Sequence, residues 1–186
     1  FKMTRPAARS ISGEDGIMEI RDMADKNEFP EVLKSGNLEK RDGVLEEQIQ
    51  TALQYVDVTK IKPLKIVVDA ANSMGGPMME ELFKQLPCEL VKMYFELDGS
   101  FPNHEADPFK DENNRDLQNK VVELSADMGI TLDGDADRVF FIDETGKTIE
   151  PAMVRGILAQ VFLREHPGAT ICYDVRPGRI TEDMIK

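Results

Sequence analysis

The sequence predicts an α/β protein in which helices cover a mixed, mostly parallel sheet. Two observations support this prediction. Short β-branched runs alternate along the chain with amphipathic segments of helical period, which is the order expected of strand–helix–strand units. The chain also has 186 residues, of which 41% are hydrophobic, so it is long enough to bury a sizeable core.

The first predicted elements are a helix, a strand and a glycine-rich turn. Residues 43–56 repeat large aliphatic side chains at helical spacing, which predicts an amphipathic helix. The β-branched run LKIVVDA (64–70) predicts a strand, and the turn NSMGG after it leads into the apolar, helix-spaced segment 77–86. This part of the chain therefore predicts strand, turn and helix in that order.

The remaining elements continue the alternation. Leu117, Val121 and Leu124 form an apolar stripe in the longest helical segment. Proline is favoured at the first position of a helix, so Pro151 indicates a helix start. The predicted elements are a strand over 88–95, a helix over 111–128, strands over 129–132 and 138–143, a helix from Pro151 to His166 and a strand over ATICYDV (169–175).

The chain is predicted to contain parts of three domains. A polar stretch interrupted by proline and glycine lies between residues 24 and 44 and is the best candidate for a linker. A second change of pattern follows the turn DETGKT. These features place boundaries near residues 37 and 148, giving segments 1–37, 38–147 and 148–186.

Composition excludes several classes of partner. With 23 basic and 35 acidic residues the formal net charge is −12, which repels nucleic acid and anionic membranes and favours cations. No run approaches the roughly 18 apolar residues of a membrane span, and the N-terminus lacks the apolar core of a signal peptide. Cys88 and Cys172 lie in apolar, strand-like runs, where a buried thiol suits a reducing compartment, so a cytoplasmic location is expected.

The strongest functional signal is the acidic segment TLDGDADRVFF (131–141). Asp133, Asp135 and Asp137 alternate with Gly134 and Ala136 at the carboxyl end of a predicted strand, the edge where ligands bind in α/β sheets. Three neighbouring carboxylates repel one another unless a cation lies between them. Oxygen-only ligands favour a hard ion, so the sequence predicts a Mg²⁺ site formed by the three aspartates.

Two alternatives stay open for this segment. The first is an acidic turn that is simply solvated. The second is an EF-hand calcium loop, because the aspartate spacing and Glu144 at the twelfth position match part of that pattern. The sixth position, however, is Arg138 where glycine is needed, and an apolar strand-like run follows.

The segment DGDADR resembles the metal-binding loop of the α-D-phosphohexomutases, the phosphomannomutase/phosphoglucomutase superfamily. Four further segments resemble other parts of that family in the same order, so the resemblance extends over essentially all 186 residues. They are FKMTRPAARSISGEDGI, VVDAANSMGG, DGSFPNHEADPFKDENNRDL and HPGATICYDVR.

The resemblance implies a multidomain enzyme that moves a phosphoryl group between the 1- and 6-positions of a hexose through a phosphoserine. It implies a fold like the family's second domain, with partial flanking domains on either side. Asp133, Asp135 and Asp137 would then bind Mg²⁺, and Arg138 would stabilise charge on the transferring phosphoryl group as the catalytic residue. A hexose phosphate is the implied substrate, whereas the sugar-selecting loop of the family does not occur in this sequence.

Several weaker site candidates follow from the same comparison. Lys2 follows the position of the serine loop, and His104 lies in the FPNH turn; for both, a structural or solvent-exposed role is the simpler interpretation. The glycine turn is expected only to connect strand and helix. These weaker candidates are Lys2, Asn72, Gly75, Gly76, His104, Arg176 and Arg179.

The family's phosphoserine motif, Thr/Ser-Ala-Ser-His-Asn-Pro, does not occur in the sequence. The chain is therefore expected to be an inactive piece of a larger enzyme, with 1–37 as the end of a first domain and 148–186 as the start of a third. Exposed edges such as FKM and ATICYDV are expected to favour self-association. The alternative is a metal-binding or assembly module without chemistry.

Overall fold

The computed structural model describes residues 3–31, 34–173, 175 and 178–186. The chain separates into two compact units, Phe1–Asp42 and Gly43–Lys186. The domain boundaries predicted near residues 37 and 148 stay predictions.

The first unit is small and exposes its side chains. Strand β1 (Thr4–Arg5) pairs antiparallel with β2 (Arg9–Ser10), and helix α1 spans Ile17–Lys26. An ion pair of 2.6 Å joins Arg5 Nη1 to Asp15 Oδ2. Every residue that the structure describes in this unit is at least partly exposed, so ion pairs and backbone hydrogen bonds, and not a buried core, hold its short elements.

The second unit contains the predicted alternation of strands and helices. Helix α2 comes first, and its Ile49 is buried. The elements are α2 (Val44–Leu53), β3 (Lys65–Asp69), α3 (Gly75–Phe83), β4 (Glu89–Met93), α4 (Asp111–Glu123), β5 (Met128–Leu132), β6 (Val139–Ile142), α5 (Pro151–Glu165) and α6 (Ile180–Ile185).

The four longer strands form one sheet in the order β4-β3-β5-β6. Strand β3 lies between two parallel neighbours, β4 and β5, whereas β6 returns antiparallel to β5. The predicted α/β class with a mixed, mostly parallel sheet is therefore confirmed. The carboxyl ends of β3 and β5 lie side by side, with Asp69 paired to Thr131, so the segments that follow these strands meet at one edge.

Both faces of the sheet are buried, which explains why the sequence of β3 is a nearly continuous run of apolar residues. On one face Ile66 and Val68 pack with Phe83 of α3. On the other face Val67 packs with Leu117 and Val121 of α4. The alternation of side chains along β3 thus supplies both cores, and helices cover each of them.

Several element ends differ from the sequence prediction. The helix predicted over 111–128 ends at Glu123, because Ser125 adopts a left-handed backbone (φ 48°) that turns the chain into β5. The strand predicted over 88–95 ends at Met93 for the same reason, since Tyr94 has φ 54°. The helix from Pro151 is confirmed through Glu165.

The strand predicted over ATICYDV is wrong for residues 169–173, while Asp174 lies outside the described residues. A strand needs a neighbouring backbone to accept and donate its hydrogen bonds, and within the described residues no other strand pairs with this segment. The exposed edge from which self-association was predicted is therefore not formed there. Cys172 is exposed and Cys88 only partly buried, and both thiols are free.

Candidate metal centre

The three predicted metal ligands meet in the loop Asp133–Arg138 between β5 and β6. One carboxylate oxygen from each of Asp133, Asp135 and Asp137 lies within 4.8 Å of the other two. The side chain of Asp133 is buried, whereas the other two are exposed. The loop therefore presents one fixed and two solvent-facing carboxylates toward a common point.

Hydrogen bonds between Asp133 and Arg138 close this loop. Asp133 N donates to Arg138 O at 3.2 Å, and Arg138 N donates to Asp133 Oδ1 at 3.0 Å. Ala136 N donates to Asp133 O at 3.0 Å. The left-handed position is Ala136, with φ 58°, so the strained residue is the alanine and not Gly134, whose added Cβ would meet only Ala106 at 3.8 Å.

The glycine turn between β3 and α3 contacts the backbone of the acidic loop. Ser73 Oγ donates to Ala70 O at 2.6 Å and lies 3.3 Å from Asp133 O. Met74 N donates to Gly134 O at 3.4 Å. The turn between β3 and α3 therefore holds the first two residues of the acidic loop.

The turn residues singled out in the sequence have packing roles in the structure. A Cβ on Gly75 would lie 2.6 Å from Leu132 Cδ1, and a Cβ on Gly76 would lie 2.9 Å from Phe95 O. Glycine is required there for close approach of α3 to the strands. Asn72 adopts φ 54°, and its side-chain amide donates to Glu96 O at 2.9 Å.

Arg138 supplies the positive charge nearest to the aspartates among the described residues. Its Nε donates to Asp133 Oδ2 at 2.5 Å and lies 3.7 Å from Asp137 Oδ1. Its Nη1 is 3.9 Å from Asp107 Oδ1, and its guanidinium lies over the Phe109 ring at 5.6 Å. The hydrogen bond with Asp133 raises the pKa of Arg138 above its ordinary value, so the guanidinium is a permanent cation.

His104 and Arg179 pair with residues outside the acidic loop. His104 pairs with Asp69 at the end of β3, with 2.9 Å between His104 Nε2 and Asp69 Oδ2. Arg179 forms an exposed ion pair with Asp183 at 3.5 Å. Lys2 and Arg176 lie outside the described residues.

Sequence reasoning missed four residues that shape the site: Asp69, Ser73, Asp107 and Phe109. Asp69 could have been found, because it ends a β-branched strand in the same way that Asp133 follows β5. The contacts of Asp107 and Phe109 with Arg138 join residues about thirty positions apart, and no local pattern marks them.

A cavity of about 380 Å³ opens beside Arg138. Phe109 and Phe140, whose rings meet edge to face at 4.8 Å, line one side. Residues at the start of α5 line the other side, among them Glu150 and Arg155. One side of the Arg138 guanidinium is therefore accessible from the cavity, next to the acidic loop.

The donor set fits a hard divalent cation. Three carboxylates offer oxygen ligands of the kind that Mg²⁺ prefers, with two of them open to solvent for bound water or a phosphate. The EF-hand alternative does not fit, because Val139–Ile142 is a strand paired with β5 where a calcium loop would continue toward a helix. Among the described residues, no helix is both long and apolar enough to cross a bilayer.

Comparison with known proteins gives consistent results. The sequence pattern of the phosphoglucomutase/phosphomannomutase α/β/α domain II matches residues 46–146. The chain is 39% identical over 190 residues to a phosphomannomutase of Vibrio cholerae serotype O1 and 37% identical over 192 residues to one of Escherichia coli strain K12. It is covered completely in both alignments and spans 41% and 42% of those relatives.

A solved structure shows the same relationship. The crystal structure of a phosphoglucomutase/phosphomannomutase family protein from Burkholderia thailandensis superposes with a TM-score of 0.74 at 33% identity. The match covers 91% of this chain and 37% of that chain. The chain therefore corresponds to about two fifths of the length of the proteins it matches.

Proposed function

Because the chain belongs to the phosphoglucomutase/phosphomannomutase family, we propose that it is part of a Mg²⁺-dependent phosphohexomutase. The parent enzyme would interconvert hexose 1-phosphate and hexose 6-phosphate through a phosphoserine. Relatives with the name phosphomannomutase make mannose phosphates the first substrates to test, and glucose phosphates the second.

The observation that supports the proposal most strongly is the convergence of Asp133, Asp135 and Asp137 at the carboxyl end of β5. Like charges at this separation disfavour one another, and a divalent cation removes the penalty. When bound there, Mg²⁺ would neutralise negative charge on a phosphoryl group during its transfer.

Each residue of the loop has a distinct task in this proposal. Buried Asp133 fixes the loop, because its two carboxylate oxygens accept from the backbone N–H and the side chain of Arg138. Exposed Asp135 and Asp137 complete the donor set. The guanidinium of Arg138 also lines the cavity, where its planar set of N–H donors matches phosphate oxygens.

The 186-residue chain is proposed to be inactive by itself, since its sequence lacks the family's serine motif. The test compares this chain with the full-length protein that carries it, phosphorylated on serine. With Mg²⁺, the full-length protein should convert mannose 1-phosphate or glucose 1-phosphate to the 6-phosphate, and the 186-residue chain should not. The proposal is contradicted if the full-length protein turns over no hexose phosphate.

Metal affinity of the loop gives a further prediction. The Arg138 side chain donates to Asp133 Oδ2, so it competes with a cation for that oxygen. We expect Arg138→Gln to raise the affinity of the 186-residue chain for Mn²⁺ about 2- to 5-fold, because a partly exposed ion pair contributes up to about 1 kcal/mol. Isothermal titration measures the change.

Arg115→Gln is the matched control, because it removes the same charge from an exposed position on α4. It should leave the affinity unchanged. If Arg138→Gln binds Mn²⁺ no more tightly than Arg115→Gln does, the guanidinium does not compete for the site.

A further inference from the structure

Asp69 is a carboxylate buried at the end of β3, with none of its surface exposed. Its Oδ1 accepts from Ala71 N at 2.9 Å, and its Oδ2 lies 2.9 Å from His104 Nε2. A buried carboxylate is costly unless hydrogen bonds and an opposite charge compensate it. His104 is the residue that supplies this compensation.

The two hydrogen-bond contacts of His104 favour an imidazolium. Its Nε2 faces the Asp69 carboxylate, and its Nδ1 faces the backbone carbonyl of Glu105 at 2.9 Å. A carbonyl oxygen and a carboxylate can only accept hydrogen bonds. With Asp69 ionised, both ring nitrogens carry a proton, and Asp69 and His104 form an ion pair.

The surroundings of His104 favour this charge. Tyr94, the residue after β4, meets the imidazole in a T-shaped contact with the ring centroids 5.5 Å apart, and Tyr94 Oη donates to Asp116 of α4 at 2.8 Å. Burial and this carboxylate raise the pKa of Tyr94 to about 12, so the phenol stays neutral. The charged groups facing His104 are thus Asp69 of β3 and Asp116 of α4, with Glu105 contributing its backbone carbonyl.

The hydrogen bond to Asp69 raises the pKa of His104 above its ordinary value of 6.5, although burial opposes the shift. The pair stabilises the fold fully below the unfolded-state pKa, and the contribution is lost as pH rises through the higher folded-state pKa.

Residues 94–110, here called the β4–α4 loop, connect this ion pair to the metal centre. Within this loop, Asp107 Oδ1 lies 3.9 Å from Arg138 Nη1, and the Phe109 ring lies under the same guanidinium. His104 precedes these two residues by three and five positions. The bond from His104 to Asp69 of β3 therefore restricts the motion of the nearby residues that contact Arg138.

A second connection runs through the turn after β3. Asp69 holds Ala71 N, and Ala71 adopts a left-handed backbone with φ 46° that needs such support. Ser73, two residues later, contacts Asp133 O. The ion pair between Asp69 and His104 thus fixes two segments that contact the acidic loop and Arg138. One is the turn after β3, and the other is the β4–α4 loop.

We propose that His104 is a positioning residue of the candidate metal centre: paired with Asp69, it fastens the β4–α4 loop so that Asp107 and Phe109 hold Arg138 beside the three aspartates. Two asparagines of α4 hold the end of the loop independently, because Asn113 and Asn114 donate to the carbonyls of Asp107 and Pro108. Loss of the ion pair should therefore shift the loop without unfolding it. The inference rests on the proposed function only where a bound metal is concerned.

The first test needs no metal. In NMR spectra of the 186-residue chain, the Arg138 Nε–H resonance should move with pH in step with the His104 ring signals. In His104→Gln this step should be absent, and in Asp69→Asn it should shift to lower pH. The sequence contains one other histidine, the exposed His166, so His166→Gln is the matched control and should keep the wild-type titration.

The second test measures Mn²⁺ affinity of the same variants against pH. Because Arg138 competes with a cation for Asp133 Oδ2, the affinity of the wild-type chain should rise in a step as His104 loses its proton and the loop releases Arg138. His104→Gln should bind Mn²⁺ about 2- to 5-fold more tightly than the wild-type chain at low pH, the limit that a partly exposed ion pair sets, and its profile should lack the step.

The possible outcomes separate the two proposals. The positioning role is overturned if the Arg138 Nε–H resonance does not shift as His104 titrates. It is also overturned if the pH dependence of that resonance is the same in His104→Gln as in the wild-type chain. A coupled Arg138 signal together with an Mn²⁺ affinity independent of pH also overturns it, because the metal centre then does not respond. A coupled signal with no Mn²⁺ binding at the aspartates supports the positioning of Arg138 and contradicts the proposed function instead.

Discussion

Replacing Asp135 with asparagine in the full-length enzyme is expected to lower the turnover of hexose phosphates by on the order of 100-fold or more. An amide oxygen is a weaker ligand than a carboxylate, and losing one group that stabilises transition-state charge commonly costs ~10²- to 10³-fold in rate. The fold should be unaffected, because the Asp135 side chain is exposed and the loop is closed by Asp133 and Arg138.

The measurement is the steady-state rate at saturating substrate and Mg²⁺, together with a thermal melt. Glu144→Gln is the control, because it removes one negative charge from an exposed position just beyond β6. It also removes the twelfth residue of the calcium-loop pattern. Turnover that is unchanged in Asp135→Asn, or lost equally in Glu144→Gln, contradicts the assignment of ligands.

Replacing Leu117 with alanine is expected to lower the free energy of unfolding of the 186-residue chain by about 2–5 kcal/mol. Leu117 is completely buried in the cluster that joins α4 to the sheet, with Val67 and Ile142 as neighbours. Removing its branched side chain leaves a cavity beneath β5 and β6, the two strands that carry the acidic loop.

Urea unfolding followed by circular dichroism measures this loss. Val122→Ala is the control five positions later on the same helix, where the valine is 54% exposed; it should change the free energy of unfolding by less than about 0.5 kcal/mol. Equal effects of the two substitutions would show that the α4 face of the sheet is not a packed core.

Much of the sheet could be predicted from the sequence because local patterns determine it. The run around Val67 and Val68 is β-branched and buried on both faces, as expected of a central parallel strand. The segment 169–173 shows the limit of such patterns. Its composition favours a strand, yet a strand forms only where another backbone pairs with it, and local composition does not supply that partner.

The acidic loop could be predicted because its three aspartates are close in sequence, and proximity in sequence implied proximity in space. The pairing of Asp69 with His104 joins residues 35 positions apart. It depends on where the β4–α4 loop crosses the end of β3, which no short motif encodes. His104 was expected to be structural, and the contacts show how a structural ion pair reaches the metal centre through Asp107 and Phe109.

The central claim is that Asp133, Asp135 and Asp137 together bind one divalent cation. Anomalous diffraction from crystals of the 186-residue chain grown with millimolar Mn²⁺ tests it most directly. The account predicts one strong peak roughly 2.0–2.3 Å from an oxygen of each aspartate, absent in crystals of Asp135→Asn. A peak elsewhere, or no peak while the three side chains point apart into solvent, would contradict it.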